Sequence, residues 1–292
     1  GLKAEDQLVE INEKSTEKMS KGEASYLLRG EIGTQVTLGI KREGIEEILK
    51  FTITRDNIEV KTIKSTVIET SNNHTMDEKI ELGYIIITAF NVNTEQELDE
   101  VLNRFAKDDR IQGIILDLRN NPGGLLASAV GVGSKFIKTG TILYIKNREG
   151  IQFTIKSRGN QYPQWPLMLL VNEQSASASE IVAGAVQDNR RGELLGIKTF
   201  GKGLVQEVFD LSDGSGVVIS TSEYYTPSKR SINKIGIEPD IWVEEVKDNE
   251  EDEQLNSAIE FMKENMESMK KKLRLMSEHE DFQSIILDED YD

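Results

Sequence analysis

Three short segments of this chain carry the residue types that acyl chemistry needs. In Val171-Asn172-Glu173-Gln174-Ser175-Ala176-Ser177-Ala178-Ser179-Glu180, serines spaced by alanine lead into a helix. Unpaired N–H groups and the helix dipole favour negative charge there, which suits a nucleophilic hydroxyl. Ser177 and Glu180 also form the S-x-x-E of a capping box, which needs no chemistry. In Thr199-Phe200-Gly201-Lys202-Gly203-Leu204-Val205-Gln206 a lysine stands between two glycines at the opening of a strand, with Phe200, Leu204 and Val205 as apolar company. A lysine desolvated in this way can lose its proton near neutral pH and act as a general base. Gln206, four residues on, would share its side of a strand and could orient the amine. In Asp117-Leu118-Arg119-Asn120-Asn121-Pro122-Gly123-Gly124 a buried strand runs into a glycine turn, whose N–H groups can converge on an anion or a developing oxyanion. Each segment has a plain alternative: a helix cap, a surface lysine in a turn, and a strand-to-helix turn needing positive φ. The serine segment by itself does not choose among Ser175, Ser177 and Ser179.

The elements that must hold these segments alternate. Tyr84–Ile87 reads as an apolar strand, Thr94 caps a helix to about Phe105, and Gly113–Leu118 is a buried strand. A helix from Leu125, a strand over Pro166–Asn172 and a helix over Ala178–Val186 follow. Strands and helices at this spacing imply βαβ units and a mostly parallel sheet, whose chemistry gathers at the carboxyl ends of its strands. Ahead of this core, a strand over Gln7–Ile11, a helix over Glu17–Leu28 and strands over Val36–Ile40 and Phe51–Thr54 make a small module. Gly30 and Gly33 punctuate its helix end, and Thr70–Lys79 reads as a polar linker. After the core, Leu255, Ile259, Met262, Met266, Met269, Leu273 and Met276 recur at spacings of four and three. They mark one long amphipathic helix, docked on the core or used for dimerisation. The closing Asp288-Glu289-Asp290-Tyr291-Asp292 reads as a disordered acidic tail.

Composition excludes several functions. The 292 residues carry 35 basic and 51 acidic side chains, a net charge of −16, which argues against a nucleic-acid partner. From Glu244 onward, 17 acids against 6 bases supply −11 of it. No apolar run approaches the roughly 18 residues that span a bilayer. The absence of cysteine removes disulfides and thiolate chemistry, and two histidines, His74 and His279, supply neither a histidine-rich metal site nor an obvious Ser-His triad. The opening Gly1-Leu2-Lys3-Ala4 reads as the middle of a longer protein.

Seven segments in order make the chain resemble the carboxyl-terminal processing proteases, a family that pairs a PDZ domain with a Ser-Lys protease core. They are Tyr26–Gly30 with Gly33, Thr34 and Val36; Gly83–Ile85; Asp117–Gly124; Ser175–Glu180; Thr199–Gln206; Tyr224–Pro227; and Gly236–Asp240. The resemblance implies a mixed α/β fold: a Clp-protease/crotonase-like core over 83–246, a partial PDZ domain over 1–62, a linker and entry strand over 63–82, and an acidic C-terminal helix and tail over 247–292. It implies Ser177 as nucleophile, Lys202 as general base, Gln206 as its support, the Gly123 and Ala178 amides as oxyanion donors, and Arg29 in coupling the PDZ domain to the core. The implied reaction is hydrolysis of unstructured, apolar C-terminal protein segments through an acyl-enzyme, without metal or cofactor.

By the same resemblance the match starts midway through the PDZ domain. Its first strands and carboxylate-binding loop are expected to be absent, along with the export signal or membrane anchor of an extracytoplasmic, membrane-associated enzyme and a dimerisation segment known in some members. The resemblance also allows a homodimer. Lys229 stands where the family's Y-Y-T-P-S-x-R stretch commonly has glycine, a peripheral departure. Two other readings compete: an acyl-CoA enzyme of the crotonase type, which would not require the lysine, and a catalytically silent binder of peptides or apolar ligands.

Overall fold

The computed structural model describes residues 1–57, 60–71, 79–159, 162, 164–213, 215–245 and 251–288, and the side chains of these except 71 and 279–288. His74, the middle of the expected linker and the tail beyond Asp288 fall outside the described residues.

The chain divides into two compact units, Gly1–Val60 and Lys61–Asp292. The first contains β1 (Gln7–Ile11), β2 (Lys14–Ser15), α1 (Lys21–Leu28), β3 (Gln35–Lys41) and β4 (Leu49–Thr54). Its antiparallel sheet has the order β2-β1-β3-β4 and closes on a small core of Ile11, Val36, Leu38 and Ile40. The helix begins four residues later than its sequence suggests. Ser20 and Glu23 form a reciprocal capping box that fixes the start at Lys21.

The second unit runs β5 (Ile63–Ser71), β6 (Lys79–Ile87), α2 (Thr94–Phe105), β7 (Ile111–Asp117), α3 (Leu126–Phe136), β8 (Thr141–Asn147), β9 (Gln152–Lys156), β10 (Leu167–Val171), α4 (Ala178–Asp188), β11 (Glu193–Gly196), β12 (Leu204–Asp210), β13 (Gly216–Tyr225), β14 (Ile241–Trp242) and α5 (Glu253–Asp288). Part of the expected linker is therefore sheet: β5 pairs antiparallel with β6 from Ile63↔Ile87 to Ser71↔Lys79. The main sheet has the order β14-β11-β10-β7-β6-β5, and every pair from β6 to β14 is parallel.

Both faces of this sheet are covered, which is why its strands are continuous apolar runs. Along β10, Leu167, Leu169 and Val171 join the core beneath α2, α3 and α4. Met168 and Leu170 face the other way, toward Ala258, Met262 and Met266 of α5. The seam of α5 is thus docked on the core, and the full burial of such side chains contributes about 1.5–3 kcal/mol each. A second antiparallel sheet, β12-β13-β8-β9, stands beside the strand ends with β12 as a free edge. Lys229 has φ of +63°, a left-handed conformation that favours glycine, and its Nζ lies 5.3 Å from the centre of the Tyr144 ring. Among the described residues, no helix is long and apolar enough to cross a membrane.

Candidate active site

The three chemical segments leave the carboxyl ends of β7, β10 and β11, neighbours in the parallel sheet. Together they line one open cavity of about 500 Å³ that includes Gly123, Ser177, Ala178, Lys202, Gln206 and Tyr224. Arg29, in the first unit, is an exposed C-cap of α1 whose N–H donates to the Ser25 carbonyl.

The structure separates the three serines. Ser175 and Ser179 are fully buried. Ser175 Oγ donates to the Leu118 carbonyl at 2.8 Å and accepts from the Asn172 N–H at 2.9 Å. Ser179 Oγ donates to the Asn121 carbonyl at 2.9 Å. Both hydroxyls are consumed in joining the β10 turn to the β7 turn. Ser177 remains on the cavity wall with φ of +56° and ψ of −112°, a strained conformation for a residue with a side chain. Strain of this kind costs about 1–3 kcal/mol and persists only where neighbours enforce it.

Glu180 is the main enforcer. Fully buried, its carboxylate accepts four hydrogen bonds: from the Ser177 N–H (2.9 Å) and Lys202 N–H (2.9 Å) on Oε2, and from the Thr199 hydroxyl (2.6 Å) and Gly201 N–H (2.7 Å) on Oε1. The glutamate half of the expected capping box therefore also ties the serine turn to the lysine loop. The cap and the tie between the two loops are made by one carboxylate.

The glycines beside Lys202 have a different reason from the one the sequence suggests. A Cβ on Gly201, at φ +90°, would meet the Gly236 and Ile235 nitrogens at 2.9 Å, and one on Gly203 the Asn233 nitrogen at 2.7 Å. They admit the backbone of residues 233–236, and Phe200, expected to wall the lysine, is 64% exposed. Strand β12 begins at Leu204, so strand alternation does not extend to Lys202, although both Lys202 and Gln206 reach the cavity. Among the described residues no hydrogen bond joins Ser177 Oγ to Lys202 Nζ, or Lys202 to Gln206.

Gly123, at φ +100°, packs directly on the serine turn: a Cβ there would lie 2.7 Å from the Ala176 carbonyl and 2.8 Å from Ser177 Cβ. Its N–H donates to Asn121 Oδ1 at 2.9 Å, so one expected oxyanion donor is occupied. The Ala178 and Gly124 N–H groups donate to no other described residue. Asn121 is buried and also donates through Nδ2 to the Ile87 carbonyl at 2.7 Å, anchoring the turn to the end of β6.

Sequence reasoning assigned no role to Tyr224. Its buried hydroxyl donates to the Lys202 carbonyl and lies beside the Ser177 hydroxyl. Burial, then the nearby Glu180 carboxylate, pushes the phenol well above the usual tyrosine range, which keeps it a neutral donor. The Tyr-Tyr-Thr-Pro stretch holding it was visible in the sequence, but nothing in the residue type alone gave it a role.

A parallel sheet with a strained serine at one strand end, a lysine loop at the next and a glycine turn packed on the serine places the chain among the α/β proteins. The model of peptidase family S41 matches residues 81–243, more than half of the chain, and the chain belongs to that family. It is 39% identical over 245 residues to a carboxyl-terminal-processing protease of Synechocystis, covering 84% of this chain and 56% of that one. It is 36% identical to a carboxy-terminal processing protease of Bacillus subtilis, covering 84% and 50%. The chain thus spans about half the length of these curated relatives. Among solved structures, a photosystem II D1 C-terminal processing protease matches with 34% identity and a TM-score of 0.58, over 84% of this chain and 64% of that one.

Proposed function

We propose that this chain is the catalytic part of a serine endopeptidase that cleaves unstructured, apolar C-terminal regions of proteins. The observation that carries the reading is the meeting of Ser177, Lys202 and the unoccupied Ala178 amide on one cavity wall. Lys202, oriented by Gln206, takes the Ser177 proton as the hydroxyl attacks the scissile carbonyl and gives it to the departing amine as the C–N bond breaks, and water then hydrolyses the acyl-enzyme. Ala178 offers the developing oxyanion one donor, and Gly123 a second once its N–H turns away from Asn121. Apolar specificity and an extended substrate are supported by the free edge of β12 and by Leu204, Val208 and Val218 on the cavity wall. The names of the relatives, which are C-terminal processing proteases, support the substrate class.

The wider setting belongs to the same proposal: a first unit acting as part of a regulatory PDZ domain with Arg29 in its coupling, an extracytoplasmic location with membrane association through a separate anchor, and homodimerisation. The second reading, a silent binder, draws support from the missing Ser177–Lys202 hydrogen bond.

Cleavage of casein across pH, by wild type and by Ser177→Ala and Lys202→Ala, tests the proposal. Wild type is expected to cut with a rate rising through one basic limb while both folded variants are inactive. Wild-type activity retained in Lys202→Ala would remove the base, and no cleavage at all would favour the silent binder.

A further inference from the structure

The glycine turn is preceded by an arginine that the mechanism above does not use. Arg119 follows β7, and its guanidinium chelates Asp117 of the same strand end, Nε to Oδ1 at 3.0 Å and Nη2 to Oδ2 at 2.6 Å. Its other edge meets Asp252, Nη1 to Oδ1 and Nη2 to Oδ2 both at 2.8 Å, while Gln254 Oε1 accepts from Nη1 at 3.2 Å. Paired forks of this kind fix direction as well as distance. Tyr84 completes the cluster by donating its hydroxyl to Asp117 Oδ2 at 2.6 Å.

Asp252 does two jobs. Its Oδ1 also accepts from the Leu255 N–H at 3.0 Å and its carbonyl from the Asn256 N–H at 2.9 Å, so it opens the 36-residue α5. Gln254 is buried and donates to the Val243 carbonyl at 2.9 Å. Asp117 ends β7 and is fixed by strand pairing on both sides, so its pair with Arg119 seats the guanidinium on the strand end. Asp252, 133 residues further along the chain, ties it to the helix packed on the opposite face of the sheet. Charge supports the geometry. Burial acts against the guanidinium, but hydrogen bonds to Asp252 and Asp117 outweigh it and raise its pKa far above the usual value. The Asp252 carboxyl is lowered in turn, because Arg119 outweighs its own burial.

We propose that Asp252 is a positioning residue for hydrolysis. By holding Arg119 from the start of α5, it adds a charged tether to the anchors that Asn121 and Asn172 give the Asn120–Gly124 turn, whose Gly123 packs on Ser177, so that the seating of α5 tunes acylation. The inference rests on Ser177 being the nucleophile.

Asp252→Asn and Asp252→Ser test it, since asparagine and serine still cap a helix but lose the paired charge. Steady-state cleavage and acylation by a fluorophosphonate are measured, with hydrogen exchange at the turn amides as a readout independent of catalysis. Both variants are expected to lose about tenfold in kcat and in acylation rate, the order that a small misplacement costs, with KM within about twofold. Exchange should quicken at Asn120–Gly124 but not in β10, and Asp252→Glu should recover most of the rate. Wild type that cleaves and takes the label, with Asp252→Asn matching it in rate and exchange, would overturn this proposal alone. Wild type that does neither would overturn the nucleophile reading and this proposal with it.

Discussion

Replacing Glu180 with glutamine changes one oxygen into an NH2 group and removes a charge, while all four donors around it stay in place. If the NH2 takes the Oε2 position, it confronts the Ser177 and Lys202 backbone N–H groups, neither of which can turn round. If it takes the Oε1 position, it confronts the Gly201 N–H, but the Thr199 hydroxyl can rotate to accept, since it already accepts the Ile237 N–H at 2.8 Å with one lone pair and has another. The second orientation is the cheaper. It loses one charge-assisted hydrogen bond, leaves one buried N–H without an acceptor and weakens the other three. At about 1.5–3 kcal/mol for a hydrogen bond to a charged group and about 1–3 for a buried orphan, the loss should be about 2.5–6 kcal/mol. Urea unfolding of Glu180→Gln against wild type measures this. The strained Ser177 turn loses its enforcer, so fluorophosphonate labelling should fall about a hundredfold in protein that is still folded. Wild-type stability and labelling in Glu180→Gln would refute the account of this carboxylate as the link between the two loops.

Three more outcomes follow from the same contacts. Ser175→Ala should lose about 1–3 kcal/mol of stability, because Leu118 and Asn172 are left without their buried partner, yet it should still take a serine label. Ser177→Ala should do the reverse, and paired urea curves and labelling gels separate the two. Tyr224→Phe strips the donor from the Lys202 carbonyl and should lower kcat about tenfold with a stability loss of about 1–3 kcal/mol, read from steady-state kinetics and thermal melts. Asp188 is buried enough to favour its neutral form, but hydrogen bonds from Ser228 and Thr226 and the charge of Arg230 outweigh this and lower its carboxyl pKa. Its contribution is therefore full above the unfolded value of about 3.9 and is lost as pH falls through the lower folded value. Melts of Asp188→Asn from pH 7 downward should show a flatter acid limb than wild type.

The strands that carry the site were legible because burial on both faces writes them as unbroken apolar runs, as in Leu167–Val171. The turns were legible because Gly123 and Gly201 occupy positive φ at points of close backbone approach. The choice among three identical serines was not readable from local chemistry. It depends on which hydroxyl meets the Leu118 or Asn121 carbonyl across more than fifty residues. The β8, β9 and β13 strands were missed; in β9 and β13 most residues are exposed on either face, which leaves little of the in–out alternation that marks a half-buried strand. Tyr224 and Asp252 make their contacts with distant backbone or charge, which a sequence pattern does not encode.

The most direct test of the central claim is peptide mapping of the intact chain after reaction with a fluorophosphonate. The account predicts a single adduct, on Ser177, that is lost in Ser177→Ala, lost or greatly slowed in Lys202→Ala, and retained in Ser175→Ala. An adduct on Ser175 or Ser179, or labelling of Ser177 at the wild-type rate in Lys202→Ala, would contradict it.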